Sequence, residues 1–359
     1  MSEGFRRRLA AVVQHNCDVA DARHAADMTL CIYLLQMREF FRWERGLALG
    51  AALGRDEIGA WIAEREARWA ALESSDYARL PCGDGAAGDL DPFDAEAVND
   101  GLRPHGLLYG AGLVGASRPV FFLGELHERR SRDGLEVLAA GRELARGLLA
   151  PPAALGGGGR GPIVVRRESL ARWGWEKREA CALRPQSQGA LRALVDAYRL
   201  DADFDAALPR FIAEQGEMLV LHELGEHRVG RRLGPDWTAM RLALPSRRAE
   251  LYARALRDQL ADLAVTLPTL LERGATASLH AWFADFDGVR ELLHPALAPA
   301  YAAWRGGDGG AALRRAIAAG TAHFGALADE ILALHRDAPT ASADAIEALL
   351  TSPRAVCPG

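Results

Sequence analysis

Between residues 105 and 141 the apolar pattern changes character, and this limits the fold more than any other feature of the chain. Gly106 to Leu113, Pro119 to Leu126 and Leu135 to Ala140 read as short strands. Asp133-Gly134, between the last two, suits a tight hairpin turn, in which both residues take positive φ. Pro162 to Arg166 offers one more strand. The flanking sequence reads as helix. Asp18 to Glu44 contains no Pro or Gly and predicts one long helix, which Gly46, Gly50 and Gly54 bring to an end. A second helix is expected from Asp56, a suitable N-cap, through Trp61 and Trp69 to Leu72. Pro81 to Pro92, rich in Gly and Asp, reads as a loop. The Gly156 to Gly161 run lacks the preceding strand and the Lys-Ser/Thr ending of a phosphate loop, so it reads as a flexible connection.

The expected fold is therefore α+β and helix-rich, a small antiparallel sheet set between an N-terminal helical segment and a C-terminal helical bundle. Residues 1–80 form the first segment, 104–167 a sheet region packed with it, 168–336 the helical domain and 337–359 a loosely ordered tail. More than one core is expected at 359 residues, because single cores stop growing at about 250 to 300.

Composition narrows the function. A formal charge of -5 and a pI near 6.1 lack the basic footprint that nucleic-acid binding requires. Lys177 is the only lysine, so any Schiff-base chemistry would have to use it. The apolar run Leu9 to Val13 is too short for a signal peptide, and no stretch approaches the roughly 18 apolar residues of a membrane span. Cys17, Cys31, Cys82, Cys181 and Cys357 show no CxxC spacing, which fits reduced thiols and a cytoplasmic protein. No nucleotide cofactor is indicated.

Two helical stretches hold the residues most suited to chemistry. At about 100° per residue, Asp21, His24, Met28, Cys31, Ile32 and Leu35 share one side of the first long helix. An acid and an imidazole three apart can ligate one metal ion, as in di-metal helical bundles, or form a simple ion pair. In the second stretch, Met218, Leu221, Gly225, Val229 and Leu233 define an apolar stripe flanked by His222 and Glu226, with Glu223 and His227 further round. Ligand-type side chains beside a buried stripe are costly unless paired or metal-bound. His222-Glu223 resembles the start of the His-Glu-x-x-His helix of zinc peptidases, but Glu226 stands where the second histidine belongs.

Weaker candidates complete the set. Asp258 and Asp262 are four apart, yet the wheel puts them opposite Leu256, Leu260, Leu263, Leu267 and Leu270, on a solvated face unless further helices cover it. His280 reads as a satisfied core histidine near Phe283. Glu291 and His294 have acid-x-x-His spacing but stand at a helix end marked by Pro295. Cys17 is a possible nucleophile or a small buried apolar group. Glu125, His127 and Glu128 have no partner visible in the sequence.

His15-Asn-Cys-Asp-Val-Ala-Asp-Ala-Arg-His24, Cys31-Ile-Tyr-Leu-Leu35, Arg42-Trp-Glu44 and His222-Glu-Leu-Gly-Glu226 together resemble a family of uncharacterised bacterial proteins of similar length. The resemblance implies no reaction and no catalytic residue. The residues themselves lead to a metal-dependent enzyme acting on a small molecule by hydrolysis or oxidation. Its metal, zinc or iron, would be held by His222, Glu226, Asp21 and His24, with Glu223 as general base and Asp258, Asp262 and His280 as secondary candidates. The competing expectation is a non-catalytic scaffold with a buried His/acid hydrogen-bond network.

Overall fold

The computed structural model describes residues 1–82, 90–114, 118–155, 161–183, 189–339 and 341–358. Most of the Gly/Asp-rich loop and nearly all of the Gly156 to Gly161 run lie outside them. The chain divides into two compact units, Met1–Glu176 and Lys177–Gly359, here called the first and second domains.

In the first domain, helix α1 (Glu3–His24) starts at Ser2, whose hydroxyl accepts the Phe5 N–H at 3.1 Å. Its apolar side, Phe5, Leu9, Val13 and Cys17, packs on Leu107, Tyr109, Phe121 and Leu123 of the sheet. Helix α2 (Leu30–Glu44) places Met37, Phe40 and Phe41 in a separate core with Trp61 and Trp69 of α3 (Arg55–Leu72). The single helix expected from Asp18 to Glu44 is thus two helices, separated by a 3-10 turn at Ala25–Asp27 and restarted at Thr29, the N-cap of α2. Serving two cores requires a change of direction that helix propensity does not signal. The shared face read across the break does not exist: Asp21 is buried, whereas Cys31, Ile32 and Leu35 are exposed.

After α4 (Ala95–Leu102) come β1 (Leu107–Val114), β2 (Arg118–Arg132), β3 (Leu135–Arg146), β4 (Ala153–Leu155) and β5 (Ile163–Arg166), in the sheet order β1-β2-β3-β5-β4. The helix-rich α+β class expected from the sequence is the one observed, with the sheet between helical regions in chain order. Asp133 and Gly134 turn the β2–β3 hairpin with φ of 49° and 81°. The sheet is mixed, because β5 runs parallel to β3 with Ala140 opposite Arg166. Strand direction depends on the path of the intervening chain, which an apolar run does not encode. The charged end of β2, His127 to Arg132, owes its extended form to pairing with β3.

The chain leaves the sheet through α5 (Arg167–Ala182). The second domain continues with α6 (Ala190–Tyr198), the 40-residue α7 (Phe204–Ala243), kinked at Gly234 before Pro235, and α8 (Arg247–Ala261). A π-helical turn, Asp262–Thr266, joins α8 to α9 (Leu267–Glu272). Helices α10 (Thr276–Ala284), α11 (Gly288–Leu293), α12 (Leu297–Arg305), α13 (Ala311–Asp337) and α14 (Ala343–Leu350) complete the domain. Among the described residues only α13 is long and apolar enough to cross a membrane, and it packs on α7 and α8. The tail expected to be loose is folded: Ile346, Leu349 and Leu350 of α14 are buried, and the Cys357 N–H donates to the Leu293 carbonyl at 2.7 Å. The Ala/Ser-rich approach to α14 hides a short i, i+3, i+4 apolar stripe.

Candidate functional site

Helices α7 and α8 meet at Gly225. A Cβ there would stand 2.5 Å from the Ala261 carbonyl oxygen, so the two backbones touch where only glycine fits. One turn before this contact lies His222, and immediately after Ala261 comes Asp262. The crossing brings His222 Nδ1 to 2.8 Å from Asp262 Oδ1 and leaves Nε2 3.5 Å from Glu226 Oε1. Arg257 donates to the other oxygen of Glu226, and its Nε stands 4.0 Å from Asp258 Oδ1. Arg290 from α11 approaches Asp262 Oδ2, a buried oxygen, at 3.6 Å.

One imidazole, three carboxylates and two guanidiniums thus share one crossing, and they shift each other's proton affinities. Burial opposes a charge on His222, but Asp262, Glu226 and Glu223 outweigh it and hold the imidazolium well above its usual range. Burial also opposes ionisation of Asp262, yet His222 and Arg290 hold that carboxyl below the usual carboxylate range. Glu226 is lowered too: burial resists, and His222 and Arg257 prevail. Asp258 moves the other way, because burial and the Glu226 charge push it up to about 6 against His222 and Arg257. Its side chain is still 32% exposed, so it can exchange protons with solvent or a bound molecule.

The wheel set Asp258 and Asp262 on a solvated face. Asp262 is instead buried at 1% exposure. Helix α8 is covered by α7, α11, α13 and α14, so it is buried on more than one side. The π turn that begins at Asp262 bonds i to i+5 and changes the angular phase that a 100° wheel assumes. Arg257 and Arg290 escaped sequence reasoning, since surface-type arginines carry no pattern that marks them as counter-ions. Gly225 in the middle of a long helix was the available signal for a close backbone approach.

The remaining candidates have other settings. Glu223 is buried and affects His222 through its charge. In the first domain, Asp21 accepts from Arg118 Nη2 at 2.9 Å and from the Leu148 N–H at 2.7 Å. Burial outweighs these contacts and raises its carboxyl to about 6. His24, the last residue of α1, faces Asp27 at 3.2 Å and not Asp21. His280 Nδ1 lies 2.7 Å from the Tyr301 hydroxyl, with Trp304 also against its ring. His294 is fully buried, and its ring occupies the space that a side chain on Gly320 would need. Cys17 donates to the Phe121 carbonyl at 3.2 Å, and burial together with Asp21 and Asp18 raises its thiol well above the usual range, which suppresses the thiolate. Glu125 accepts from Arg6 and Arg142.

His222 faces a carboxylate at each nitrogen, Glu226 and Asp21 hold guanidinium groups, and His24 turns to Asp27. Among the described residues no three His, Cys, Asp or Glu side chains gather as a possible ligand set.

Residues 8–166 match a family model described as "Family of unknown function (DUF6866) N-terminal domain", and residues 171–353 match the corresponding C-terminal domain. No curated protein and no solved structure matches the chain.

Proposed function

The chain belongs to this family of unknown function along both of its domains, and we propose from the site itself that the second domain performs general acid–base chemistry on a small polar molecule. The observation that supports this reading is the gathering of His222, Glu226, Asp258 and Asp262 at one helix crossing, with Asp258 still accessible. Carboxyls whose environments push their proton affinities apart are the usual basis of acid and base roles near neutral pH. Asp258 takes the proton-exchanging part that was expected of Glu223. Asp262 orients and charges His222, which with Arg257 offers positive charge to an anionic or polar group. Hydrolysis is the matching reaction class, and a reducing compartment such as the cytoplasm is the matching setting for a chain with five free cysteines.

A second reading has its own support: each of Glu226 and Asp262 is braced by an arginine, as expected of a network that only pins α7 to α8. Asp258→Asn separates the two, because the amide keeps the size of Asp258 and its capacity to hydrogen-bond beside Glu226 and Arg257 while removing the titratable carboxyl. Wild type, Asp258→Asn and His222→Ala would be screened against small esters, amides and glycosides. Turnover by wild type that falls about 100-fold or more in folded Asp258→Asn supports acid–base catalysis. Absence of turnover in all three, with only His222→Ala destabilised, selects the structural network. Thermal unfolding of wild type is expected to be indifferent to chelator, and a melting temperature lowered by chelator would restore the metal reading.

A further inference from the structure

The first domain buries more cationic than anionic side chains. Arg42, Arg65, Arg118, Arg146, Arg166 and Arg172 are buried there, against Asp18, Asp21, Glu39 and Glu143. Five of the six arginines have acidic partners. Arg42 pairs with Glu39, Arg65 with Asp18 and Glu44, and Arg118 with Asp21. Arg166 pairs with Glu143, and Arg172 reaches Glu176 at 3.4 Å. Arg146 has no ion-pair partner among the described residues.

This arginine is also firmly held. It is the last residue of β3 and 2% exposed, and Gln14 fixes its backbone, accepting from its N–H at 3.1 Å and donating to its carbonyl at 3.0 Å. The guanidinium lies 5.6 Å from the Phe40 ring centre and 5.4 Å from that of Trp43. Those rings attract the cation through their faces but accept no in-plane N–H. Nε and Nη2 are buried and have no hydrogen-bond partner among the described residues. Arg166 uses this same edge to grip Glu143, with Nε at 2.7 Å from one carboxylate oxygen and Nη2 at 2.9 Å from the other. Burial and the neighbouring Arg172 push Arg146 down to about 9, which leaves it cationic at neutral pH. Arg172 adds a buried Nη1 without a hydrogen-bond partner among the described residues, while its Nη2 donates to the Ala150 carbonyl at 2.8 Å. The nearby acids are committed elsewhere: Glu143 to Arg166 and Ser169, and Glu168 to the Glu143 N–H at 3.1 Å.

We infer that Arg146, with Arg172 beside it, is the socket of a compact oxyanion, two of whose oxygens accept from the Nε–H and Nη2–H edge of Arg146. A fork of two parallel donors fixed by aromatic faces selects planar carboxylates or phosphate-like ions over spherical halides. The site lies in the first domain and does not depend on the acid–base reading of the second.

The test is titration of the full chain with sodium phosphate, and separately with sodium acetate, against sodium chloride at matched ionic strength, followed by calorimetry and thermal unfolding. Saturable heat and a rise in melting temperature with phosphate or acetate, absent with chloride, are expected, and the tighter of the two names the oxyanion. Arg146→Lys keeps the charge but loses the fork, and is expected to weaken the apparent Kd at least tenfold, whereas exposed Arg129→Lys leaves it unchanged. If Arg146→Lys does not fold, Arg172→Lys takes its place, with a weakening of about threefold or more expected. Equal responses to chloride and both oxyanions, or an unchanged Kd in the folded Arg146 or Arg172 variant, would overturn the proposal.

Discussion

The first domain buries six arginines against four carboxylates, whereas the second buries no arginine or lysine among its described residues and keeps Glu223, Asp262, His294 and His335 inside. A guanidinium stays charged across the physiological range, so each buried arginine of the first interior calls for an anionic partner throughout that range. Imidazoles and carboxyls can give up their charge when a partner is lost. The first arrangement therefore suits permanent binding of anionic groups, and the second suits exchange of protons.

The largest expected effect comes from removing one carboxylate from each interior. Glu143→Ala strands Arg166 as a buried cation and should cost about 3–5 kcal/mol, nearly independent of pH between 6 and 8. Asp262→Asn should cost less, about 1–3 kcal/mol, because His222 can release its proton. Denaturant unfolding of both variants checks this, and equal costs would remove the contrast.

A smaller effect is expected at the helix crossing. Gly225→Ala forces α7 and α8 apart against the Ala261 carbonyl and should destabilise the second domain by about 1–3 kcal/mol. It should also lower the proton affinity of His222, observable by NMR titration, as Asp262 draws away. A destabilised variant with unchanged His222 titration would show that the crossing does not set the site.

The most discriminating effect is the response to acid. Burial and then His323 push His294 down to about 4, below its unfolded value of about 6.5. The unfolded chain therefore binds this proton first, so the stabilisation is complete above about 6.5 and disappears as pH falls toward 4. Asp21 has the opposite sign. Its folded value near 6 exceeds the unfolded value of about 3.9, so protonation favours the folded first domain as pH falls between them. Hydrogen exchange between pH 6.5 and 4.5, resolved by domain, should show His294→Leu erasing part of the second domain's loss. Asp21→Asn should erase the first domain's gain. Variants that leave both profiles unchanged would remove these groups as the cause.

Much of the fold was legible because it rests on local rules. The Asp133-Gly134 hairpin, the three main strands, the buried Trp61 and Trp69, and the Met218 to Leu233 stripe all follow from turn chemistry and periodicity. The break at Ala25–Asp27 and the folded tail were not legible, since both depend on which core a segment finds. Of the candidate site, His222 and Glu226 were legible as costly polar groups beside an apolar stripe, and Asp258 and Asp262 only as a spaced pair of acids.

The sequence by itself determined a helix-rich chain with a small sheet, a single lysine, and a helical stretch around His222 where an imidazole and acids press against apolar surface. Only the tertiary structure decided which charges meet. Asp21 found Arg118, His222 found Asp262 forty residues away, and Arg146 has no carboxylate partner among the described residues. Periodicity states which side of a helix is buried, but the partner of a buried charge comes from a different element, and its approach is set by helix crossings and strand ends that no single segment encodes.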